Sequence, residues 1–459
     1  MNLLAVITPL LQAEDKKSVA SSTIDAVTKT AEAGDGHFNI LSIISLFVGL
    51  VALASYANER FVKLPSAVGT MLAGIFFALI LLAVGQFGLV DEGQIAQILT
   101  KYTTEFVLSL LLGVLLFATA MQLDTGLITE HRWSITYAAT LGTAISIALA
   151  GLAIWAFLNL VNIFISWDFG ITIVAAFLFA AIVAPTDSVA VLSIIQRIKV
   201  SNPIRAYISG EALFNDATAI VLFVLILQFA QRPDSIQPGN LIAEFFWIAG
   251  AAVALGLGTG FVGAYLVGTT EKGKSAVLIT VGIALGTGGL ADILHTSNAI
   301  AVAVAGLTFA QCRSQHMTKR DGAIHNFWNT IDGIVNPLFF ALIGLELLVV
   351  EWSLTVVAAS LLCLPAILLA RYASLLLPWL GLRQRSSGRI SHAALVLMTW
   401  IGIRGGVSFA LALSIPSDSV YRSPAITGTF VVVILSVLIQ GLSVPAVAKR
   451  LAPSLSGAK

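Results

Sequence analysis

Apolar residues dominate this chain in long runs, broken at intervals by short polar segments. A membrane-spanning helix needs roughly 20 predominantly apolar residues. Laid along the sequence, that length finds thirteen windows, at 38–58, 63–86, 104–123, 134–160, 170–195, 203–229, 240–268, 274–291, 297–311, 324–350, 354–380, 391–415 and 424–448. Only the short polar segment DILHTS separates windows eight and nine. Every connection is brief, so no soluble domain interrupts the series. The pattern predicts an all-α polytopic membrane protein of 13 transmembrane helices.

Composition agrees with that solvent. The chain is 58% hydrophobic and 11% charged, with a mean hydropathy of +0.94. A soluble protein carries about 25% charged residues. The net charge of +1 gives no nucleic-acid footprint, and the lipid bilayer is the expected partner. The placement of the basic residues is more telling. With the amino terminus outside, 17 of the 25 lysines and arginines fall in inward loops, among them Arg60, Arg197 and Arg320, against 6 outside. This positive-inside bias predicts a multi-pass protein of the cell membrane (the inner membrane in a Gram-negative cell), with a cytoplasmic carboxyl terminus. It also supports an odd number of spans.

Residues 1–36 read as an external tail. Its first stretch, MNLLAVITPLLQ, is apolar but too short to span, and no basic residue precedes it. A cleaved signal peptide over 1–13 and a plain tail are both open. Cys312 and Cys363 imply no disulfide framework and read as packing residues.

A weak internal repeat links LPSAVGTMLAGIFFA (64–78) with TSNAIAVAVAGLTFA (296–310), aligning Ala73-Gly74 with Ala305-Gly306. These lie seven spans apart, and an odd offset inverts the second copy. Inverted repeats are a recurrent transporter architecture, with sites at discontinuous helices near the midplane. Two breaks stand in matching places. Span five carries VAPTDSVAV, where Pro185 removes a backbone donor. Span twelve carries GIRGGVSFAL, where Gly405 and Gly406 weaken the helix. Broken backbone at membrane depth is tolerated where it is buried in protein or lines a cavity.

Membrane-embedded ionisable groups cost about 2.5–3.5 kcal/mol each on insertion scales and usually mark ion or proton routes. Asp187, Glu211, Asp216 and Arg371 all fall well inside spans. At 100° per residue Glu211 and Asn215 share one helix face and Ala212 and Asp216 an adjacent one. Asp216 is therefore expected to face a cavity against Asp187. Glu211 is the natural counter-ion for Arg371, as a structural bolt. Glu105, Asp124, Glu244, Asp292 and Glu351 lie near span ends and read as solvated. Asp332 and Glu346 in span ten, and His295, carry weaker functional signals. GTGFVG (258–263) matches a dinucleotide fingerprint but lacks a βαβ context, so close helix packing is its better reading. No metal-ligand cluster, nucleophile elbow or phosphate loop is visible, so neither an enzyme nor a cofactor is expected.

Together, APTDSVAV, GEALFNDATAIVLF, the arginine of LLARYAS and GIRGGVSFAL resemble the monovalent cation:proton antiporters, in the sodium/proton exchanger branch. The resemblance runs in order over about residues 40–448. It implies two inverted six-helix repeats, 37–230 (spans one to six) and 273–450 (spans eight to thirteen), joined by linker span seven in 231–272. A cytoplasmic tail follows at 451–459. It further implies two discontinuous helices crossing at mid-membrane. A homodimer is implied, built on spans one to three and eight to ten, with spans four to six and eleven to thirteen forming the mobile bundle.

Residue by residue, Asp216 resembles the ion- and proton-binding carboxylate, Asp187 its partner, and Thr186 an oxygen ligand at the crossing. Asn215 stands where the electrogenic branch has a second aspartate. Glu211 and Arg371 match a buried stabilising pair, and Arg404 the arginine of the Gly-x-Arg-Gly motif. Ala212 departs from the family's frequent serine, removing a hydroxyl one turn before Asp216 and implying weaker cation affinity. The function implied is electroneutral exchange of Na⁺ for H⁺ by alternating access, the two ions being cargo and no cofactor being needed. K⁺ or Li⁺ exchange is the alternative. A cation channel is disfavoured because no selectivity filter is visible.

Overall fold

The computed structural model describes residues 40–86, 108–122, 132–164, 170–187, 191, 202–231, 238–313, 319–348, 350–382, 392–416 and 418–455. Among these, all regular structure is helical. The chain divides into two compact units, residues 1–52 and 53–459. The described part of the first, residues 40–52, is helix; the site belongs to the second.

In chain order the helices are α1 (Ile40–Ala57), α2 (Ser66–Gln86), α3 (Leu108–Gln122), α4 (Arg132–Tyr137), α5 (Thr143–Phe164), α6 (Ile173–Ile182), α7 (Asn202–Gln231) and α8 (Pro238–Gly268). They continue with α9 (Gly273–Ile293), α10 (Asn298–Arg313), α11 (Lys319–Leu345), α12 (Leu354–Leu382), α13 (His392–Ile401), α14 (Gly406–Leu413), α15 (Arg422–Leu435) and α16 (Leu442–Leu455). Short π-helical stretches occupy Asn58–Val62, Ala138–Gly142 and Ser436–Gly441, the last two joining α4 to α5 and α15 to α16.

Among the described residues eight helical stretches are long and apolar enough to cross a membrane, or nine if α13 and α14, bent by 48° at their break, form one span. They fall in windows two, four, six, seven, eight, ten, eleven and thirteen, with the bent pair in window twelve. Windows one, three, five and nine hold helices of 18, 15, 10 and 16 residues. The expectations for residues 1–36, Glu105 and Asp124 lie outside the described residues. At the other end α16 runs on to Leu455 and takes up the first half of the segment read as a tail.

DILHTS does separate two helices. His295 adopts a left-handed φ of 51° there, and Thr296 N–H donates to Ala291 C=O at 2.9 Å, a helix-ending geometry. Glycines let helices approach. A Cβ at Gly260 would stand 2.6 Å from Ala305 O, and at Gly263 2.8 Å from Ile283, while Gly256 faces Ala301 O. GTGFVG is thus a packing face of α8 against α9 and α10. Likewise Gly344 of α11 lies against α2, where a Cβ would reach within 2.6 Å of Ile75 N, and Gly74 of α2 faces Ala341 O. Gly306 of α10 lies against Phe117 and Ala120 of α3.

Candidate functional site

Helix α6 ends for a local reason. Thr172 caps α6, its hydroxyl accepting from Ala175 N–H at 3.2 Å. The helix stops ten residues later. Pro185 has no N–H to continue the ladder, and its ring disfavours helical backbone at Ala184. Residues 184–187 are accordingly non-helical. Helix α13 gives way to non-helical backbone at Gly402–Gly405, and α14 starts at Gly406. The two breaks meet: Asp187 N–H donates to Ile403 C=O at 2.7 Å. Three glycines make room. A Cβ at Gly405 would stand 2.8 Å from Asp187 Cβ, one at Gly402 2.9 Å from Arg371 Cζ, and one at Gly406 would collide with the ring of Phe339.

Two helix ends at the crossing, those of α6 and α14, are electrostatically complemented. The Arg404 guanidinium, fully buried, donates to Ala184 C=O and, at 3.3 Å, to Pro185 C=O. These carbonyls lie just beyond α6, at the negative end of its dipole. The Asp187 carboxylate lies against Gly405, the N-cap of α14, where the dipole favours an anion. The Arg404 backbone N–H donates to Ser436 Oγ at 2.8 Å in the π-helical stretch between α15 and α16, and Gln440 Nε2 ties that stretch to Trp400 C=O at 3.1 Å.

Helix α7 brings its polar residues to this crossing on two faces. Asp216, 1% exposed, accepts from Thr186 N–H at 3.0 Å. Asn215 Nδ2 donates to Thr186 Oγ1 at 3.3 Å, and its Oδ1 accepts from Thr143 Oγ at 2.8 Å. Glu211 turns away to Arg371, with Oε2 to Nη2 at 3.0 Å, and both are buried. Pro185, Thr186, Asp187, Asp216, Gly405 and Gly406 together line a small cavity. Its volume for the centres of water-sized spheres is about 30 Å³, room for one or two waters or a largely dehydrated cation.

All ten sequence-derived site residues therefore converge on one crossing, with the Glu211–Arg371 pair set beside it. Ala212 is different. It is 1% exposed in the apolar core and does not line this cavity. Sequence reasoning missed Thr143, Ser436, Gln440, Gly402 and Asn336, the last lining the cavity from α11. Gln440, a lone amide in an apolar span, was the one detectable signal.

Residues 45–450 match the family described as sodium/hydrogen exchanger, transmembrane. The chain belongs to the sodium/hydrogen exchanger family. It is 33% identical to the Na⁺/H⁺ antiporter NhaP of Pseudomonas aeruginosa over 420 residues, covering 90% of this chain and 97% of that one. The Na⁺/H⁺ antiporter NhaH of Halobacillus aidingensis is 28% identical over 430 residues, covering 91% and 98%. In fold the chain is similar to the sodium proton antiporter MjNhaP1 from Methanocaldococcus jannaschii, with a TM-score of 0.72 at 19% identity, covering 91% of this chain and 99% of that one. As a member of this exchanger family it is a multi-pass membrane antiporter and not an enzyme.

Proposed function

We propose that this chain exchanges Na⁺ for H⁺, one for one, at Asp216. The observation that carries this is a buried carboxylate beside a crossing of two broken helices, facing a cavity shared with Asp187. Na⁺ is a hard cation suited to oxygen ligands, and Asp216, Asp187 and Thr186 supply them. Either ion neutralises Asp216, so the two compete. A loaded bundle then crosses the low-dielectric barrier readily, and an empty charged one does so poorly. This is alternating access with competing cargoes. With Asn215 in place of a second carboxylate, one cation exchanges for one proton and no net charge moves.

In this reading the thirteen windows are thirteen spans, with repeats 37–230 and 273–450 around linker 231–272. Packing supports the inversion. Exchanging each span with the one seven away turns the α2–α11 contact (spans two and ten) into the α10–α3 contact (nine and three). The aligned glycines Gly74 and Gly306 both stand at those contacts. The broken pair, five and twelve, maps onto itself. A homodimer in the cell membrane, amino terminus outside, completes the proposal.

The test is purified protein in liposomes with an internal pH dye, given Na⁺, Li⁺ and K⁺ pulses. Na⁺ should drive proton movement, and Asp216→Asn should abolish it while leaving folding intact. A sodium leak without proton movement indicates a channel, and a response to K⁺ alone a different cargo. Substantial exchange by Asp216→Asn overturns the site assignment.

A further inference from the structure

The cavity beside Asp216 has two unlike walls. One is built from the crossing and α7, and carries the carboxylates of Asp187 and Asp216 with Thr186 between them. The other comes from α3 and α11, through Leu115, Leu116, Asn336 and Phe339. Three of these four side chains are hydrocarbon. Among the described residues of this second wall, Asn336 is the one with a polar side chain.

Its placement is fixed by the helix that carries it. Asn336 and Phe339 are three residues apart on α11 and so share a face. Phe339 is 3% exposed, and its ring lies against Gly406 where any Cβ would collide. That contact pins the Asn336 face of α11 onto the start of α14, at the cavity. The amide is half-buried rather than sealed, as suits a group lining an open space.

The chemistry of the two cargoes differs at this point. A proton on Asp216 forms one covalent O–H bond and needs no further ligand. A dehydrated Na⁺ needs several oxygens around it, and neutral amide carbonyls are suitable donors to hard cations. Leucine and phenylalanine offer none. Among the described residues of the far wall, such a cation would meet hydrocarbon apart from Asn336.

We propose that the side-chain carbonyl of Asn336 completes the coordination of the transported Na⁺ from the α3–α11 wall, and so sets affinity for Na⁺ apart from affinity for H⁺. This rests on the assignment of Asp216 and Asp187 as the ion site. The amide belongs to a different helix group from the carboxylates. It therefore ligates the cation only while the two walls face each other as they do here.

The experiment uses the full-length protein in liposomes, at one fixed alkaline pH, and measures the dependence of exchange on Na⁺ concentration. Asn336→Leu removes the oxygen; Asn336→Asp keeps the shape and strengthens the donor. The leucine variant is expected to raise the KM for Na⁺ about threefold to tenfold, the scale of one lost polar contact, with a smaller fall in maximal rate. The aspartate variant is expected to lower that KM. Opposite signs from the two substitutions are what a ligand gives, whereas a packing role makes both worse. If the leucine variant does not purify as a monodisperse protein, the aspartate variant decides alone, and a KM unchanged or raised refutes the proposal. Asp216→Asn is measured alongside. An unmoved KM in both Asn336 variants with an inactive Asp216→Asn refutes the amide's role and leaves the site standing; an active Asp216→Asn refutes the site itself.

Discussion

Removing Arg371 should do more harm to the fold than removing its partner Glu211. Its guanidinium meets Glu211 Oε2 at 3.0 Å, with side chains 6% and 3% exposed. At an effective dielectric constant of about 20, two unit charges at that distance attract by roughly 5 kcal/mol, offset by the desolvation of both. Arg371→Met keeps the hydrocarbon stem but strands the Glu211 carboxylate, whose one ion pair among the described residues is with Arg371. Breaking such a pair from one side costs about 3–5 kcal/mol. Glu211→Gln strands the guanidinium instead, yet that group keeps an approach of Nε to Met398 C=O at 3.5 Å. The loss should therefore be smaller. The double variant Glu211→Gln/Arg371→Met buries no unpaired charge, so its damage should fall short of the summed single effects by at least about 1 kcal/mol. Melting of all three in detergent by intrinsic fluorescence supplies the cycle. For domains of moderate size each kcal/mol moves Tm by about 2–4 °C, and less is expected for a chain this long. Additivity within about 0.5 kcal/mol would show that the two charges do not depend on each other, and the reasoning would fail.

Two further outcomes follow from α7. With Asn215 next to Asp216, exchange in liposomes should be insensitive to an imposed potassium-diffusion potential; acceleration or reversal by that potential contradicts one-for-one exchange. Ala212 lies in the apolar core rather than at the cavity, so Ala212→Ser should leave the KM for Na⁺ within a factor of about two. The added hydroxyl can bond back to the carbonyl one turn earlier, and a drop of threefold or more in that KM would place residue 212 at the ion after all.

The parts of this site that could be read from sequence are those whose chemistry is expensive in lipid. A carboxylate or guanidinium inside an apolar run is conspicuous because bilayer insertion penalises it, and that single rule finds Asp187, Glu211, Asp216 and Arg371. Pro185 is equally visible, since it cannot complete a helix ladder. Helical periodicity then assigns Glu211 and Asp216 to different faces, and Glu211 does turn to Arg371 while Asp216 turns to Thr186. Neutral polar groups are another matter. Thr143 can satisfy its hydroxyl on its own helix, at Ala139 C=O 2.8 Å away, so nothing in its local sequence shows that it also reaches Asn215. Gly402 resembles every other glycine of a membrane helix until the Arg371 side chain is laid over it.

Asn336 shows the limit most clearly. An amide in an apolar helix carries a modest penalty and has many ordinary uses, and no spacing rule connects it with carboxylates more than a hundred residues earlier. Its meaning arises only when α11 is docked so that Phe339 covers Gly406. The charged half of the site is written in local energetics, and the neutral half in which helices touch. That division also explains Ala212. The residue occupies the expected face by periodicity, but the cavity is defined by the surrounding helices, and they close around Asp216 without it.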